Sequence, residues 1–395
     1  MQVAVPKELL DGERRVALTP DAVQRLVKTG MSITVQRGAG LAAGFDDADY
    51  AAAGAQLADD AAATYDGADL VVKVNRPIAD GPGGAPEYDL IPAGAALIAL
   101  LAPLTDTDGI ATLAKRDIVA FSMEMIPRIS RAQSMDALSS MSTIAGYKAV
   151  LISADHLPRM FPLLMTAAGT VAPARVFVLG AGVAGLQAIA TARRLGAVVS
   201  AFDTRAAVKE QVESLGAKFI EIAVAGDAEA AGGYARELTD EEQQLQRELV
   251  AEHIAKSDCV ITTALVPGRP APLLIPTSSV ECMRRGSVIV DLASEAGGNC
   301  ELTEHGQVID HGGVTIVGPA NLASTVPFHA SQLYAKNVSN LLLHLAPGGE
   351  WKPDWEDEIV AGTCVTRDRE VVHPMLRERL GLPQLATAHA AGAAS

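Results

Sequence analysis

The sequence predicts an α/β protein built of two doubly wound parallel sheets, and three observations predict it. Short β-rich runs alternate with helical runs from residue 1 to about 122, a pattern that implies a parallel sheet covered on both faces. A second alternation starts near Leu151 and continues to about Ala323. Within it, Gly180, Gly182 and Gly185 spell G-x-G-x-x-G between a β-rich run and an alanine-rich helical run. The 395 residues are enough for two or three domains, each with a sizeable core.

Taken in order, Val3 to Val5, Ile33 to Val35, Leu70 to Val74, Ala96 to Leu101 and Ile118 to Phe121 read as strands. Asp21 to Thr29, Asp47 to Ala53 and Asp108 to Lys115 read as the helices between them. Pro77 to Pro86, with its Gly-Pro-Gly-Gly core, reads as a surface loop. Met123 to Ser142 changes character: Pro127 interrupts any helix, and Arg128, Ser130, Arg131 and Gln133 make a short polar loop. A long helix follows from about Asp136 to His156, with Leu138, Met141, Ile144, Ala145, Lys148 and Ile152 along one stripe, and its length suits a connector between domains. Spacing alone equally allows Arg128, Gln133, Asp136 and Ser139 to be a solvated loop leading into a helix that Asp136 caps.

The second alternation supplies strands at Arg175 to Leu179, Val198 to Phe202, Lys218 to Glu221, Cys259 to Thr263, Ser287 to Asp291 and Val314 to Val317. One connection is long for a compact domain. Residues 223 to 237 carry Gly226, Gly232, Gly233 and the lone aromatic Tyr234, the composition of a mobile lid or an insertion. Beyond Asn321 come a helix from Phe328 to Leu345, a Pro347-Gly348-Gly349 break, a short apolar piece at Glu358 to Ala361, and a hairpin of Cys364 to Thr366 with Glu370 to Val372 about Arg367-Asp368-Arg369. Ala386 to Ser395 is small and featureless, as disordered termini are.

The glycine spacing has a physical cause. A tight turn at Gly180 needs a residue without Cβ, Gly182 lets the backbone approach a diphosphate, and Gly185 lets helix pack close on strand. The diphosphate then meets unsatisfied N–H groups at the helix N-terminus. Asp203, at the end of the next strand, stands where a carboxylate accepts from adenosine ribose hydroxyls. Such a carboxylate repels a 2′-phosphate, which favours NAD(H) over NADP(H); Arg205, close by, softens that preference because a guanidinium can take a phosphate.

Composition excludes several classes. With 32 basic against 47 acidic residues the formal charge is −15, and no basic cluster offers a footprint for nucleic acid. The N-terminus has no secretory signal, and the longest apolar run, Ala95 to Leu104, is about half a membrane span, so no direct membrane insertion is expected. The four cysteines lack C-x-x-C spacing and the eight histidines form no pair at ligand spacing, so neither disulfide nor metal is expected. Alcohol and amine dehydrogenases need an acid or base beside the reacting carbon. No histidine fills that role at a strand end facing a cleft, His311 in a turn being the nearest case. Hydride passing directly between two nicotinamides needs no such group, only placement at about 3 to 3.5 Å.

The residues carry a specific resemblance. MIPRISRAQSMD (125–136), the Ala145-Gly146-Tyr147 helix, GAGVAGLQAIATARRLGA, KEQVESLGAKF, AGGYARE, ITTALVPG, EAGGNC and GTCVTRD together resemble the NAD(H)-binding domain of proton-translocating nicotinamide nucleotide transhydrogenases, related to alanine dehydrogenase, over nearly the whole chain. The resemblance implies two Rossmann-like domains joined by long helices, the first discontinuous. It would comprise residues 1–135 and 330–395, with 136–329 the NAD(H)-binding domain and a mobile loop at about 223–237. Arg128, Gln133, Asp136 and Ser139 would be catalytic, and Ile129, Ser130, Ser134 and Met135 would join them about the nicotinamide and its ribose, with Tyr147 in support. Gly180, Gly182, Val183, Gly185, Asp203, Thr204, Arg205, Gly233 and Leu265 would line the nucleotide, and Tyr234 would fold over it.

The resemblance further implies a homodimer at the cytoplasmic face of the cell membrane. NADP(H) would be held on a partner subunit, and a membrane-spanning subunit would couple transfer to proton movement. The chain ends without the membrane helices that often follow this domain, as expected of the separate first subunit of a split version. Arg15 and Lys73 match pyruvate-holding positions of alanine dehydrogenase, but Leu100 stands where that enzyme's histidine is expected. That argues against the alternative, a soluble alanine dehydrogenase-like amino-acid dehydrogenase. The polar loop from Arg128 to Asp136 argues against a non-catalytic NAD-binding scaffold.

Overall fold

A computed structural model describes residues 1–81, 86–221, 240–266 and 268–385. The Gly-Pro-Gly-Gly core but for its first glycine, the 223–237 segment with Gly233 and Tyr234, and the 386–395 terminus lie outside the described residues. The chain divides into two units, Met1–Met141 with the segment from Ala323 onward, and Ser142–Leu322.

The first unit is an eight-stranded sheet. Strands β1 (Gln2–Val5), β2 (Ser32–Gln36), β3 (Gln56–Ala58), β4 (Leu70–Asn75), β5 (Ala96–Leu100) and β6 (Val119–Ser122) run parallel. Two strands from the chain's end, β16 (Cys364–Arg367) and β17 (Glu370–Val371), extend it antiparallel, giving the order β17-β16-β6-β5-β4-β1-β2-β3. The hairpin closes on Asp368 and Arg369, both at positive φ (53° and 63°), as a tight two-residue turn demands. Helices α1 (Pro20–Val27), α2 (Asp47–Ala52), α3 (Ala61–Tyr65) and α4 (Thr107–Lys115) connect the parallel strands. Strand β1 pairs with β2 on one side and β4 on the other, so the crevice of this sheet opens beyond the carboxyl ends of β1 and β4.

One face of this sheet buries Val3, Val5, Leu70, Val72 and Val74 with Tyr334, Val338, Leu341, Leu342 and Leu345, the last five all from the long helix α10 (Pro327–Leu345). The Tyr334 hydroxyl donates to Lys73 O at 2.8 Å, tying that helix to β4. Helices α11 (Glu358–Thr363) and α12 (Pro374–Arg379) complete the unit, and the apolar piece at Glu358 to Ala361 is the start of α11.

The second unit is a seven-stranded sheet of β9 (Arg175–Leu179), β10 (Val198–Phe202), β11 (Lys218–Phe219), β12 (Cys259–Thr262), β13 (Val288–Asp291), β14 (Val308–His311) and β15 (Val314–Val317), in the order β11-β10-β9-β12-β13-β15-β14. Only β14 is antiparallel, folded onto β15 through Gly312 and Gly313, so His311 ends a strand. Helices α6 (Val183–Arg194), α7 (Lys209–Ser214), α8 (Asp240–Ala255) and α9 (Thr277–Glu281) cover the faces. Strand order reverses between β9 and β12, which places this sheet's ligand crevice beyond Leu179 and Thr262.

Helix α5 (Ala137–His156) begins in the first unit and ends in the second. Its buried residues include Ala137, Ile144, Gly146, Ala149, Val150 and Ser153 rather than the whole expected stripe; Leu138 is exposed. Small residues win because they allow closer approach: a Cβ on Gly146 would collide with Ala184 O at the start of α6. A short exposed hairpin of β7 (Leu164–Thr166) and β8 (Gly169–Val171) follows α5, where neither alternation nor a turn dipeptide announces it.

Candidate functional site

The turn after β9 is built as its glycines require. Gly180 sits at φ +100°, and a Cβ there would lie 2.5 Å from Thr263 Oγ1, the hydroxyl that donates to Gly180 O at 3.1 Å. A Cβ on Gly185 would overlap Gly180 O, so the third glycine is what lets α6 meet the strand end. Gly182 is the N-cap of α6 and offers no side-chain cap, and nothing lies within 4 Å of where its Cβ would be. The helix therefore begins with open space above uncapped N–H groups, which fits a diphosphate. Val183, the first helical residue, is exposed there.

Asp203 follows β10, with its side chain 7% exposed. Its Oδ2 accepts from Ala181 N at 2.7 Å and Arg205 Nη2 at 2.9 Å; its Oδ1 accepts from Arg205 N at 2.9 Å and Nε at 3.0 Å. Burial works against its charge, but the Arg205 guanidinium and these amides hold the carboxyl below its ordinary range. The carboxylate thus braces the glycine turn and carries Arg205 as a bidentate cover. Thr204 is exposed beside it.

Leu265, exposed, lies just past β12. The backbone next to it is gripped by Asn299, whose Oδ1 accepts from Ala264 N at 3.0 Å and whose Nδ2 donates to Ala264 O and Pro272 O, both at 2.9 Å. Asn299 is held in turn by Asp291, fully buried, which accepts from Asn299 N, Cys300 N, Thr262 Oγ1 and Thr303 Oγ1. The EAGGNC stretch gives no sign of this role in sequence, since a side-chain amide that mimics a neighbouring strand leaves no periodic signal.

The loop expected between Pro127 and the long helix is a 3₁₀ turn, Ser130–Met135. Arg128, Ser130, Gln133 and Ser134 are exposed, Ile129 is half-buried, and Ala132 and Met135 are buried anchors. Asp136 caps α5: Oδ1 accepts from Ser139 N at 2.9 Å and Oδ2 from Ser139 Oγ at 2.6 Å. Arg131 Nη1 donates to Asp357 Oδ2 at 2.9 Å, and Asp357 Oδ1 also meets His344 Nε2 at 3.1 Å. Asn337 and Asn340, one turn apart on α10, each donate from Nδ2 to Ser134 O at 3.0 Å. The structure brings Arg128 to Ser139 together in one compact feature of the first unit, and Gly180, Gly182, Val183, Gly185, Asp203, Thr204, Arg205 and Leu265 together about the carboxyl ends of β9, β10 and β12 in the second. Tyr147 is exposed on α5.

At the first unit's crevice the cations are answered internally. Arg15 donates to Glu13 through Nε at 2.8 Å and Nη2 at 2.6 Å, and Lys73 Nζ lies 2.6 Å from Glu87 Oε1 and 3.5 Å from Glu8 Oε2. Burial disfavours the Glu13 charge, but its bonds from Arg15 and Asn75 hold the carboxyl down at about 2. Burial pushes the Glu8 carboxyl up. Burial also works against the Lys73 ammonium, but its two carboxylates hold its proton more tightly than usual. Leu100 ends β5, half-buried. Among the described residues no group of metal-ligating side chains gathers, and no helix is long and apolar enough to cross a membrane.

Comparison with known proteins finds two family models that between them match most of the chain. Residues 4–145 match the alanine dehydrogenase/PNT N-terminal domain, and residues 149–374 match the alanine dehydrogenase/PNT C-terminal domain. The chain is 52% identical over 380 residues to an NAD(P) transhydrogenase subunit alpha chain of Rhodospirillum rubrum, covering 95% of this chain and 99% of that one. It is 31% identical to alanine dehydrogenase of Halomonas elongata, covering 99% and 100%. The crystal structure of transhydrogenase from Sinorhizobium meliloti superposes with a TM-score of 0.85 at 45% identity, covering 94% of this chain and all of that one.

Proposed function

The chain belongs to the alanine dehydrogenase/PNT family, and from that premise we propose that it is the NAD(H)-binding peripheral subunit of a proton-translocating NAD(P)⁺ transhydrogenase. It works as a homodimer at the cytoplasmic face of the membrane. Hydride passes directly between NAD(H) held here and NADP(H) held on a partner subunit, and a membrane-spanning subunit couples the transfer to proton translocation.

The observation that carries this reading is the loop Ser130–Met135, polar and exposed on its outer side yet pinned from beneath by Asp357, Asn337 and Asn340. A scaffold that merely bound a dinucleotide would have no use for a rigid polar loop of this kind. The glycine turn, with open space at Gly182, holds the diphosphate. Asp203, Thr204 and Arg205 hold the adenosine ribose, the Asp203 carboxylate selects against a 2′-phosphate, and Val183 and Leu265 line the nucleotide. By the family resemblance Gly233 lines the nucleotide and Tyr234 folds over it, both residues lying outside the described ones. The nicotinamide supplies or accepts the hydride, a transfer that asks no proton of the protein. Arg128, Ile129, Ser130, Gln133, Ser134 and Met135 orient that end of the nucleotide. Asp136 and Ser139 keep the loop's exit fixed by their mutual hydrogen bonds.

The amino-acid dehydrogenase reading is not favoured. Arg15 and Lys73, the cations that would take a substrate carboxylate, already face Glu13, Glu8 and Glu87, and Leu100 cannot serve as acid or base. The test is Gln133→Asn in the full chain reconstituted with the NADP(H)-binding subunit. NADH affinity should hold while single-turnover hydride transfer slows strongly, because a side chain one methylene shorter loosens ring placement, which acts in the transition state. A variant with the wild-type single-turnover rate would overturn the assignment of this loop.

A further inference from the structure

Two pins hold the loop Ser130–Met135, and both come from the segment that returns after Ala323. The first acts on Ser134, whose carbonyl oxygen takes two side-chain amides at once, from Asn337 and Asn340 at 3.0 Å each. Three residues apart, they share one face of α10. The second acts on Arg131, which donates to Asp357, a carboxylate fixed by Ile359 N at 2.8 Å and His344 Nε2 at 3.1 Å. Gln133 lies between the two pinned positions.

Resting on the transhydrogenase reading, we propose that Asn337 and Asn340, supported by Asp357, are positioning residues that set the height and tilt of Gln133 and so govern hydride transfer without touching the nucleotide. Asn337 is 6% exposed, and its Oδ1 has no partner among the described residues. A buried amide oxygen left without a donor costs desolvation free energy with no return, and an asparagine in a helix interior is poorer than leucine or alanine. Helix stability alone therefore does not favour asparagine at 337. The amide cannot be flipped to rescue its oxygen, because only the NH₂ end can face a carbonyl. Its donor is what the position requires. Asn340 is braced through its Oδ1, which accepts from Arg25 Nη1 at 3.0 Å, while Asn337 is held by burial, and both amides donate to one atom.

The test compares wild type, Asn340→Ala and Asn337→Asp in the full chain. Asn340 is only half-buried, so its variant folds whatever becomes of the other, and Asn337→Asp keeps the shape but loses the donor. Three quantities are read: NADH affinity by fluorescence, single-turnover hydride transfer at saturating NADH with the NADP(H)-binding subunit, and amide exchange across residues 130–136. The expected result is unchanged NADH affinity, transfer slower by tenfold to a hundredfold in order of magnitude, and faster exchange at Ala132 and Asp136, whose N–H groups bond within this turn. Transfer at the wild-type rate with only a lowered Tm would overturn the proposal, as would unchanged exchange in both variants. Failure of the wild type itself to transfer hydride would instead remove the transhydrogenase reading, and the exchange measurement would still decide whether the two amides hold the loop.

Discussion

Replacing Asp203 by Asn isolates the charge proposed to separate the two dinucleotides. Both carboxylate oxygens are already doubly occupied, by Ala181 N, Arg205 N and the Arg205 guanidinium, so ribose hydroxyls reach them only when the Arg205 side chain swings away. Arg205 is half-exposed, and parting such a pair costs about 0.2–1 kcal/mol. A hydrogen bond from ribose to a charged acceptor returns about 1.5–3 kcal/mol. The net contribution of the carboxylate to NADH binding is then about 1–2 kcal/mol, or roughly five- to thirtyfold in affinity. Asn keeps one acceptor oxygen for Ala181 N, so the glycine turn stays braced; Ala would not, and would confuse the two effects. NADPH should gain instead, since its 2′-phosphate no longer meets a carboxylate and Arg205 is released to pair with it. Calorimetric titration with NADH and NADPH at physiological ionic strength reads both arms. An NADH-to-NADPH affinity ratio equal to that of wild type would refute the reasoning.

Gly182→Leu and Gly185→Ala should part company: the first has room in the folded chain and should keep its Tm while losing both dinucleotides, whereas the second forces a Cβ onto Gly180 O and should lower Tm as well. Retained NADH binding by the Gly182 variant would move the diphosphate elsewhere. Glu13, held at about 2 against an ordinary 4.5, stabilises the fold above the upper value, and that contribution is lost as pH falls through the window between them. Glu13→Gln should flatten Tm across that window and lower stability at neutral pH, because it removes the carboxylate that faces the buried Arg15 guanidinium; an unaltered acid limb would show that other groups dominate it. Alanine with NAD⁺, or pyruvate with ammonium and NADH, should give no turnover with the chain alone, and robust activity would restore the amino-acid dehydrogenase reading.

What the sequence revealed follows from which forces act locally. The central parallel strands announced themselves as continuous apolar runs because both of their faces are buried, and the helices α5 and α10 came out within one residue at each end. Strand β3 was missed because three residues, Gln56–Ala58, carry too little pattern at a sheet edge, and β14 because its register comes from pairing with β15. The tight turn at Gly180 and the close approach at Gly185 were legible because the G-x-G-x-x-G spacing itself marks a strand-to-helix turn, whereas the brace from Asp203 to Ala181, 22 residues away, was not. Nor were Asn299, Asn337, Asn340 and Asp357. Each acts on a backbone group or side chain brought near only by the tertiary fold, as far as 226 residues away for Asp357 and Arg131, and a single polar residue in a helix or loop looks the same whether or not it meets such a partner.

The return of the chain to its first sheet also sets a timetable for synthesis. Strand β6 ends at Ser122 and its neighbour β16 starts at Cys364, so roughly 240 residues must leave the ribosome before that edge is covered, a wait of about ten seconds to most of a minute. Throughout it the nascent first unit shows an unpaired strand edge, which invites pairing with other chains. It also lacks α10, whose Tyr334, Leu341 and Leu342 complete its core. The second unit, wholly encoded in the interval, can finish folding first. Ribosomes stalled before Cys364 would therefore hold a chain with a finished second unit and a sticky, half-built first one.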